Sequence, residues 1–322
     1  MPYGTVNADV IQTSASGGIL GAGNSSTIKN RLINGDFYIA QRATSATLTA
    51  GSTIAAGYAT VDRFYGYCTG ANVTMAQVTG TGNNRNLLQF TGAASVTAIG
   101  CGQRIETLNS YDLAGSTVTL SAFIANSLLT SVTWTAYYAD TTDTFGTLAS
   151  PTRTQIATGT FTVTSTLTQY NAQISIPSAA TTGIEIVFTV GAQTSGTWQL
   201  DRIQLELGSS VTGYEYRQFG TELQLCQRYY EVVGTTANSL LFQTYAASAA
   251  AGSQRSSVYY KVSKRATPTA TIAGTWTYSN AANLAIGGAG ADTTRLEWDS
   301  SGSGITFIFN NSGGTLTFSA EL

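Results

Sequence analysis

Histidine is absent from this sequence. The side chain that serves most zinc sites, most general bases and every Ser-His or Cys-His nucleophile is therefore missing, and hydrolase or metalloenzyme chemistry loses its usual means. Charge is sparse as well: 15 basic and 17 acidic residues make up 10% of the chain, and lysine occurs only at Lys29, Lys261 and Lys264. With a net charge of −2 and no basic stripe, nothing is present to neutralise a run of phosphates or an anionic lipid surface. Neither nucleic acid nor membrane is expected as a partner. Cys68, Cys101 and Cys226 are odd in number and lack CxxC spacing, which argues against a disulfide framework and reads as buried free thiols of a chain assembled in a reducing cytoplasm. No apolar run reaches the about 18 residues that span a bilayer, and the start MPYGTVNADVIQTS has neither the basic nor the apolar region of a signal peptide. A soluble chain outside the general secretory route is the expectation.

What the sequence has in quantity is β-sheet material. There are 34 glycines against 4 prolines, 43% of residues are hydrophobic, and serine with threonine makes up about a quarter of the chain. The length of 322 residues suggests about two domains, large enough to fold without covalent staples. Residues 1–28, rich in Gly, Ser and Ala, offer little to bury and read as an arm that docks on something. From Arg31 onward apolar and polar residues alternate with period two. Val118, Leu120, Ala122 and Ile124 share one strand face; so do Val132, Trp134, Ala136 and Tyr138, and Ile184, Ile186, Phe188 and Val190. Many short strands with turn-rich joints imply a β-sandwich. The alternation breaks in GTWQLDRIQLELG, where Trp198 and Leu200 hold one parity and Ile203 and Leu205 the other, which predicts a bulge near Asp201 or a strand buried on both faces.

Leu223, Cys226 and Tyr230 fall at helical spacing, and the Gly- and Pro-free stretch 222–229 predicts a short helix with those three as its buried stripe. Alternation then resumes at Val258, Tyr260 and Val262, at Ile305, Phe307 and Phe309, and at Leu316, Phe318 and Ala320, giving a second, smaller sandwich. The organisation read from the chain is an arm (1–28), a first sandwich (29–210), a linker with a short helix (211–232) and a terminal sandwich (233–322). A sandwich this small buries a modest share of its surface alone, so it is expected to oligomerise, with Tyr259 and a strand face such as Ile308 left for a partner chain.

Sites that carry chemistry are few. The glycine-rich GGILGAG and IGGAGAD lack the flanking strand and helix of a phosphate-binding loop and read as turns. Acids are too scarce to favour a glycosidase pair. Aromatic residues are plentiful, with 17 tyrosines, and flat rings with hydroxyl neighbours suit sugar contact. Trp134 and Trp198 lie on core parities; Tyr137 shares the face of Thr133 and Thr135; Trp276, Tyr278 and Trp298 sit among polar residues. Tyr137, Trp276, Tyr278 and Trp298 are thus the candidate glycan contacts.

Two stretches together resemble a known family. NRLINGDFYIAQR (Asn30 to Arg42), followed by TVDRFYG, opens the first domain, and WQLDRIQLELGSSVTGYEYRQFGTELQLCQRYYEV closes it. The pair resembles phage virion proteins of the tail-fibre class, as do YYKVSKRATPT and the terminal FSAEL, and the MPYGTVNADVI start resembles virion proteins of cyanobacterial phages. The chain departs from the pattern at Phe64, where that family usually has Trp, and at Arg202, where a second Asp is common. The ends of the domain also resemble jelly-roll carbohydrate-binding modules, which open on "NGxFE" and close on "LDDVxLE". The resemblance implies an all-β protein with a jelly-roll first sandwich, a helical joint and a C-terminal sandwich. It implies a non-enzymatic virion protein, a tail or head fibre assembled in the host cytoplasm, docked on other virion proteins through residues 1–28, and, since fibres commonly use threefold symmetry, a homotrimer held mainly through the terminal sandwich. The alternatives are a module binding a host-surface glycan or receptor, and a polysaccharide-degrading tailspike. By the same resemblance a structural calcium would use Asp201 and Asp36, with Tyr38 standing where those modules have a glutamate ligand.

Overall fold

The computed structural model describes residues 10–12, 19–21, 28–51, 57–80, 85–234 and 240–322. Two compact units emerge, residues 1–218 with Leu322 and residues 219–321. Of the arm, two short antiparallel strands are described, β1 (Val10–Gln12) and β2 (Ile19–Gly21); the rest of it lies outside the described residues. No helix among the described residues is long and apolar enough to cross a membrane.

The first unit is a jelly-roll β-sandwich. Its strands are β3 (Ser45–Leu48), β4 (Tyr65–Thr69), β5 (Val73–Thr79), β6 (Asn86–Thr91), β7 (Ala98–Ile105), β8 (Thr117–Asn126), β9 (Ser131–Ala139), β10 (Arg153–Thr162), β11 (Thr168–Ser175), β12 (Ile184–Val190) and β13 (Thr197–Leu207). A five-stranded sheet in the order β10-β9-β12-β7-β4 faces a six-stranded sheet in the order β11-β8-β13-β6-β5-β3, and every pairing is antiparallel. From β7 onward the chain crosses repeatedly between the sheets, so each inner face draws on strands remote in sequence. The alternating sets read from the sequence point inward: Val118, Leu120, Ala122 and Ile124 of β8 and Ile184, Ile186, Phe188 and Val190 of β12 are all buried. Trp134 and Trp198 are core residues, the latter stacked on Phe90 at 5.0 Å.

The parity break in β13 is a bulge. Asp201 pairs with Phe123 and Gln204 with Ser121, so one extra residue is accommodated, and Arg202 adopts φ +45° to do it. The bulge re-aims the strand so that Trp198, Leu200, Ile203 and Leu205 all reach the core.

The opening and closing motifs meet here. Asn30 donates from Nδ2 to Ile203 O (3.1 Å) and accepts the Leu205 amide on Oδ1 (3.0 Å), and the Ile203 amide bonds Gly35 O at 2.9 Å. Gly35 has to be glycine, since a Cβ there would run into the Ile203 carbonyl. Asn34, at φ +60°, closes the turn by accepting the Ile39 amide and donating to the Ile39 and Asp62 carbonyls. Gln103 braces it from the opposite sheet, bonding both the amide and the carbonyl of Ile33 at 2.7 Å. Residues 211–218 run back along the same segment, where Glu215 accepts the Lys29 and Asn30 amides.

The second unit begins with a helix, α1 (Phe219–Gln227), somewhat ahead of the expected stretch. Its fully buried residues are Glu222, Cys226 and Gln227, joined by Tyr229 beyond its end, whereas Leu223 and Tyr230 are half-buried. The expected Leu223/Cys226/Tyr230 stripe is therefore corrected: two of its three members sit at the margin, because the short helix ends before Tyr230. Beyond it run β14 (Tyr230–Val233), β15 (Leu240–Ala246), β16 (Ala250–Tyr259), β17 (Thr269–Ser279), β18 (Ala281–Ala289), β19 (Thr293–Ser300) and β20 (Gly304–Ser319). The long β20 pairs with β17 along most of its length and, on its other edge, with β15 at one end and β14 at the other; β16-β19-β18 form a second sheet.

Parity in β20 is the reverse of what its apolar pattern suggests. Thr306, Ile308 and Asn310 are buried, while Ile305 is exposed and Phe307 and Phe309, stacked on each other at 5.7 Å, are half-exposed. The buried polar groups are satisfied, Thr306 by the Thr244 hydroxyl (2.6 Å) and Asn310 by Gly314 and Gly234. Ile308, expected at a partner interface, is in the core; Tyr259 is exposed. The three cysteines are free and buried, and burial pushes the Cys101 thiol far up.

Candidate functional site

The outer face of the five-stranded sheet is built from a match between tyrosines and glycines. Tyr65 and Tyr67 alternate with Gly66 on β4, and Gly100 and Gly102 alternate with Cys101 on β7; the register places Tyr65 opposite Gly102 and Tyr67 opposite Gly100. Each glycine leaves room for a ring to lie over the neighbouring strand, for a Cβ at Gly100 would run into the Tyr67 ring and one at Gly102 into Tyr65. The two rings stack at 6.5 Å with 21° between their planes. Tyr65 is buried and Tyr67 half-exposed, and burial raises the Tyr67 hydroxyl to about 12. Both phenols are therefore neutral hydrogen-bonding groups at physiological pH.

Glu185 lies at the centre of this face with 0% exposure. Its Oε1 accepts from the Tyr65 hydroxyl at 2.7 Å and from Arg104 Nε at 2.8 Å, and its Oε2 accepts from Arg153. Arg153 in turn stacks over the Tyr137 ring at 4.0 Å. Thr133, Thr189, Gly100 and Tyr67 form one line across the strands. The same face continues into an open groove of about 590 Å³ whose lining includes Ala98, Ser131, Thr133 and Thr189. Tyr67 and Tyr137 are three strand spacings apart, about 14 Å, and offset by about 13 Å along the strands.

Asp36 and Asp201, distant in sequence, line one cavity of about 230 Å³ between the opening turn and the β13 bulge, together with Tyr38, Arg85, Asn86, Arg202, Tyr216 and Arg217. Asp201 is buried; its Oδ2 accepts from Arg202 Nε at 3.0 Å, and its Oδ1 has no hydrogen-bond partner among the described residues. Burial pushes the Asp201 carboxyl up to about 6 against the pull of Arg202, and raises Asp36 as well. This donor set does not fit calcium. The ion needs six to eight oxygen ligands, no group of three acidic or cysteine side chains is assembled among the described residues, and Arg202 already compensates Asp201 while Arg85 and Arg217 line the same cavity. Asp36 and Asp201 thus line one cavity, and among the described residues no third acidic side chain joins them.

The other candidate residues separate. Tyr137 stands on the outer sheet face, half-exposed, one side of its ring covered by Arg153. Trp276 and Trp298 are buried in the core of the second unit with Leu296, Ile308, Leu316 and Phe318, Trp298 stacked on Phe242 at 5.6 Å. Their polar neighbours point the other way, and enclosure removes both as glycan contacts. Tyr278, near the end of β17 in the second unit, is exposed. Sequence reading missed Tyr67 and Arg153. The available signal was Tyr-Gly-Tyr on one strand and Gly-Cys-Gly on another, both at two-residue spacing.

No family model matches the chain, and no curated protein does. Among solved structures, a structure described as CBM4 is 14% identical, with a TM-score of 0.36, over 54% of this chain and 98% of its own. The enzymatically active domain of tailspike protein 4 of bacteriophage CBA120 is 15% identical, with a TM-score of 0.35, over 57% of this chain and 22% of its own. TmCBM61 in complex with β-1,4-galactotriose is 12% identical, with a TM-score of 0.33, over 56% of this chain and 99% of its own. Similarities of this size assign neither a ligand nor an activity to this chain.

Proposed function

We propose that the first unit is a non-catalytic glycan-binding module, and that it is carried on a phage particle as part of a tail or head fibre. The observation that carries the glycan reading is the outer face of the five-stranded sheet. It offers a half-exposed tyrosine lying flat over glycine, a second tyrosine capped by a guanidinium, and, beyond Tyr67 at one end of the sheet, an open groove lined in part by threonine. A flat ring accepts the C–H face of a sugar, while threonine hydroxyls and an arginine satisfy its hydroxyls. The absence of histidine from the sequence and its few acids favour binding over cleavage.

The virion placement rests on the motif resemblance. In this reading residues 1–28 dock on other virion proteins, and the second unit joins three copies of the chain. Leu240, Tyr245 and Ile305 are exposed on that unit beside the half-exposed Phe307 and Phe309, an apolar strip of the kind that interfaces cover. Glycan-array binding by the full chain to glycans of linked sugars, weakened tenfold or more by Tyr67→Ala, is the expected result for the module. Shortening of host envelope polysaccharide on incubation would instead make the chain an enzyme. Light scattering that gives a monomer at micromolar concentration would remove the trimer.

A further inference from the structure

We propose that the cavity between the opening turn and the β13 bulge binds a single neutral pyranose ring. The site belongs to the outer side of the six-stranded sheet, since Asp201 pairs with Phe123 on the parity opposite to the buried Ala122 and Ile124. It is thus on the far side of the sandwich from the tyrosine groove and stands or falls independently of that reading.

The chemistry of the lining selects the ligand class. Asp201 is buried with an Oδ1 that has no partner among the described residues, and an enclosed carboxylate oxygen demands a donor. Three guanidinium groups line the same space, those of Arg85, Arg202 and Arg217. Arg202 is held by Asp201 and by the Phe123 ring at 3.5 Å, and Arg217 bonds the main chain at Leu32. Arg85 is exposed and its guanidinium lies over the Tyr38 ring at 4.6 Å. An anion entering here meets the carboxylates of Asp36 and Asp201, and a metal ion or ammonium meets the guanidinium groups of Arg85, of Arg202, paired with Asp201, and of Arg217, paired with Glu215. A neutral polyol meets neither penalty, because each hydroxyl both donates to a carboxylate and accepts from a guanidinium.

Shape points the same way. Tyr216, 59% exposed at the rim, offers a flat apolar face for the C–H side of a sugar ring. A volume of about 230 Å³ falls below the roughly 300–1,000 Å³ of sites for larger ligands, which limits the occupant to one ring or the end of a chain.

The test is saturation-transfer NMR on the full chain with methyl α-D-glucopyranoside, methyl α-D-mannopyranoside and methyl β-D-galactopyranoside. Sodium methyl α-D-glucuronate and calcium chloride serve as the anionic and cationic probes. At least one neutral glycoside is expected to take up saturation. Asp201→Asn should weaken it tenfold or more and Tyr216→Ala severalfold. Tyr216 is exposed, so its variant tests the site even if Asp201→Asn fails to fold. The Asp201-dependent signal should persist in Tyr67→Ala, which strips the groove on the other face. The proposal is overturned if no neutral glycoside binds, if binding survives substitution at both Asp201 and Tyr216, or if Tyr67→Ala alone removes it. Saturable binding by the glucuronate or by calcium in place of the neutral glycosides overturns it equally.

Discussion

Replacing Glu185 by glutamine removes the charge on which the outer face of the five-stranded sheet is organised. Three donors converge on this one carboxylate, the Tyr65 hydroxyl and Arg104 on Oε1 and Arg153 on Oε2, and its side chain has no exposure. Glutamine keeps one acceptor oxygen but turns an amide NH₂ toward at least one of these donors, leaving a buried guanidinium or hydroxyl without its partner. Breaking a buried ion pair on one side costs about 3–5 kcal/mol. For a unit of this size that corresponds to a fall in melting temperature of roughly 6–20 °C. Differential scanning calorimetry of the full chain should show it in the transition of the first unit, with the second unit's transition unmoved. Arg153 is also released from its place over Tyr137, so glycan binding should weaken in the same variant under conditions where it remains folded. A fall of less than about 2 °C, worth under 1 kcal/mol, would refute the idea that this charge organises the face.

Gly100→Ala should displace the Tyr67 ring and weaken glycan binding about tenfold, while stability in urea changes by no more than about 1 kcal/mol, since the ring is half-exposed and alanine suits a strand better than glycine; undiminished binding would show that Tyr67 is not a contact. Trp298→Ala should cost the second unit about 3–5 kcal/mol through the cavity it leaves, and a loss confined to the first unit's transition would contradict its place in the second core. The folded Asp201 carboxyl, near 6 against an ordinary 3.8, holds its proton more tightly than the unfolded one. Its contribution to stability is therefore complete below about pH 4 and lost as pH rises through 6, at most about 3 kcal/mol; Asp201→Asn should flatten that slope in urea titrations between pH 4 and 7. Millimolar calcium chloride or a chelator should leave the first unit's melting temperature unchanged, and a dose-dependent rise would restore the ion to the Asp36/Asp201 cavity.

Period-two alternation in the sequence marked β8, β9 and β12 as strands and set, in β8 and β12, which side faces the core, because there each strand has one apolar set and the core lies on that side; at Val258, Tyr260 and Val262 it overran, since β16 ends at Tyr259. The parity change around Asp201 likewise required a bulge, since a strand cannot send both Leu200 and Ile203 inward without an added residue. In β20 local pattern was insufficient. Ile305, Phe307 and Phe309 are the more apolar set, yet Thr306, Ile308 and Asn310 are enclosed, because the Thr306–Thr244 hydroxyl pair and the bonds Asn310 donates to the Gly234 and Gly314 carbonyls remove the cost of burying Thr306 and Asn310. Trp276 and Trp298 follow the same rule: polar neighbours say that one face of a strand is wet, and only the packed partner strand says which.

Tertiary structure alone decided the two sites. Tyr67 becomes a platform only because β4 pairs with β7 in the register that sets it over Gly100, a relation between segments with no local trace. The cavity draws on the opening turn, the start of β6, the β13 bulge and residues 216–217. Composition counts the arginines and aspartates, but only folding places three of one and two of the other around the same space, and that mixture of charge determines what can enter.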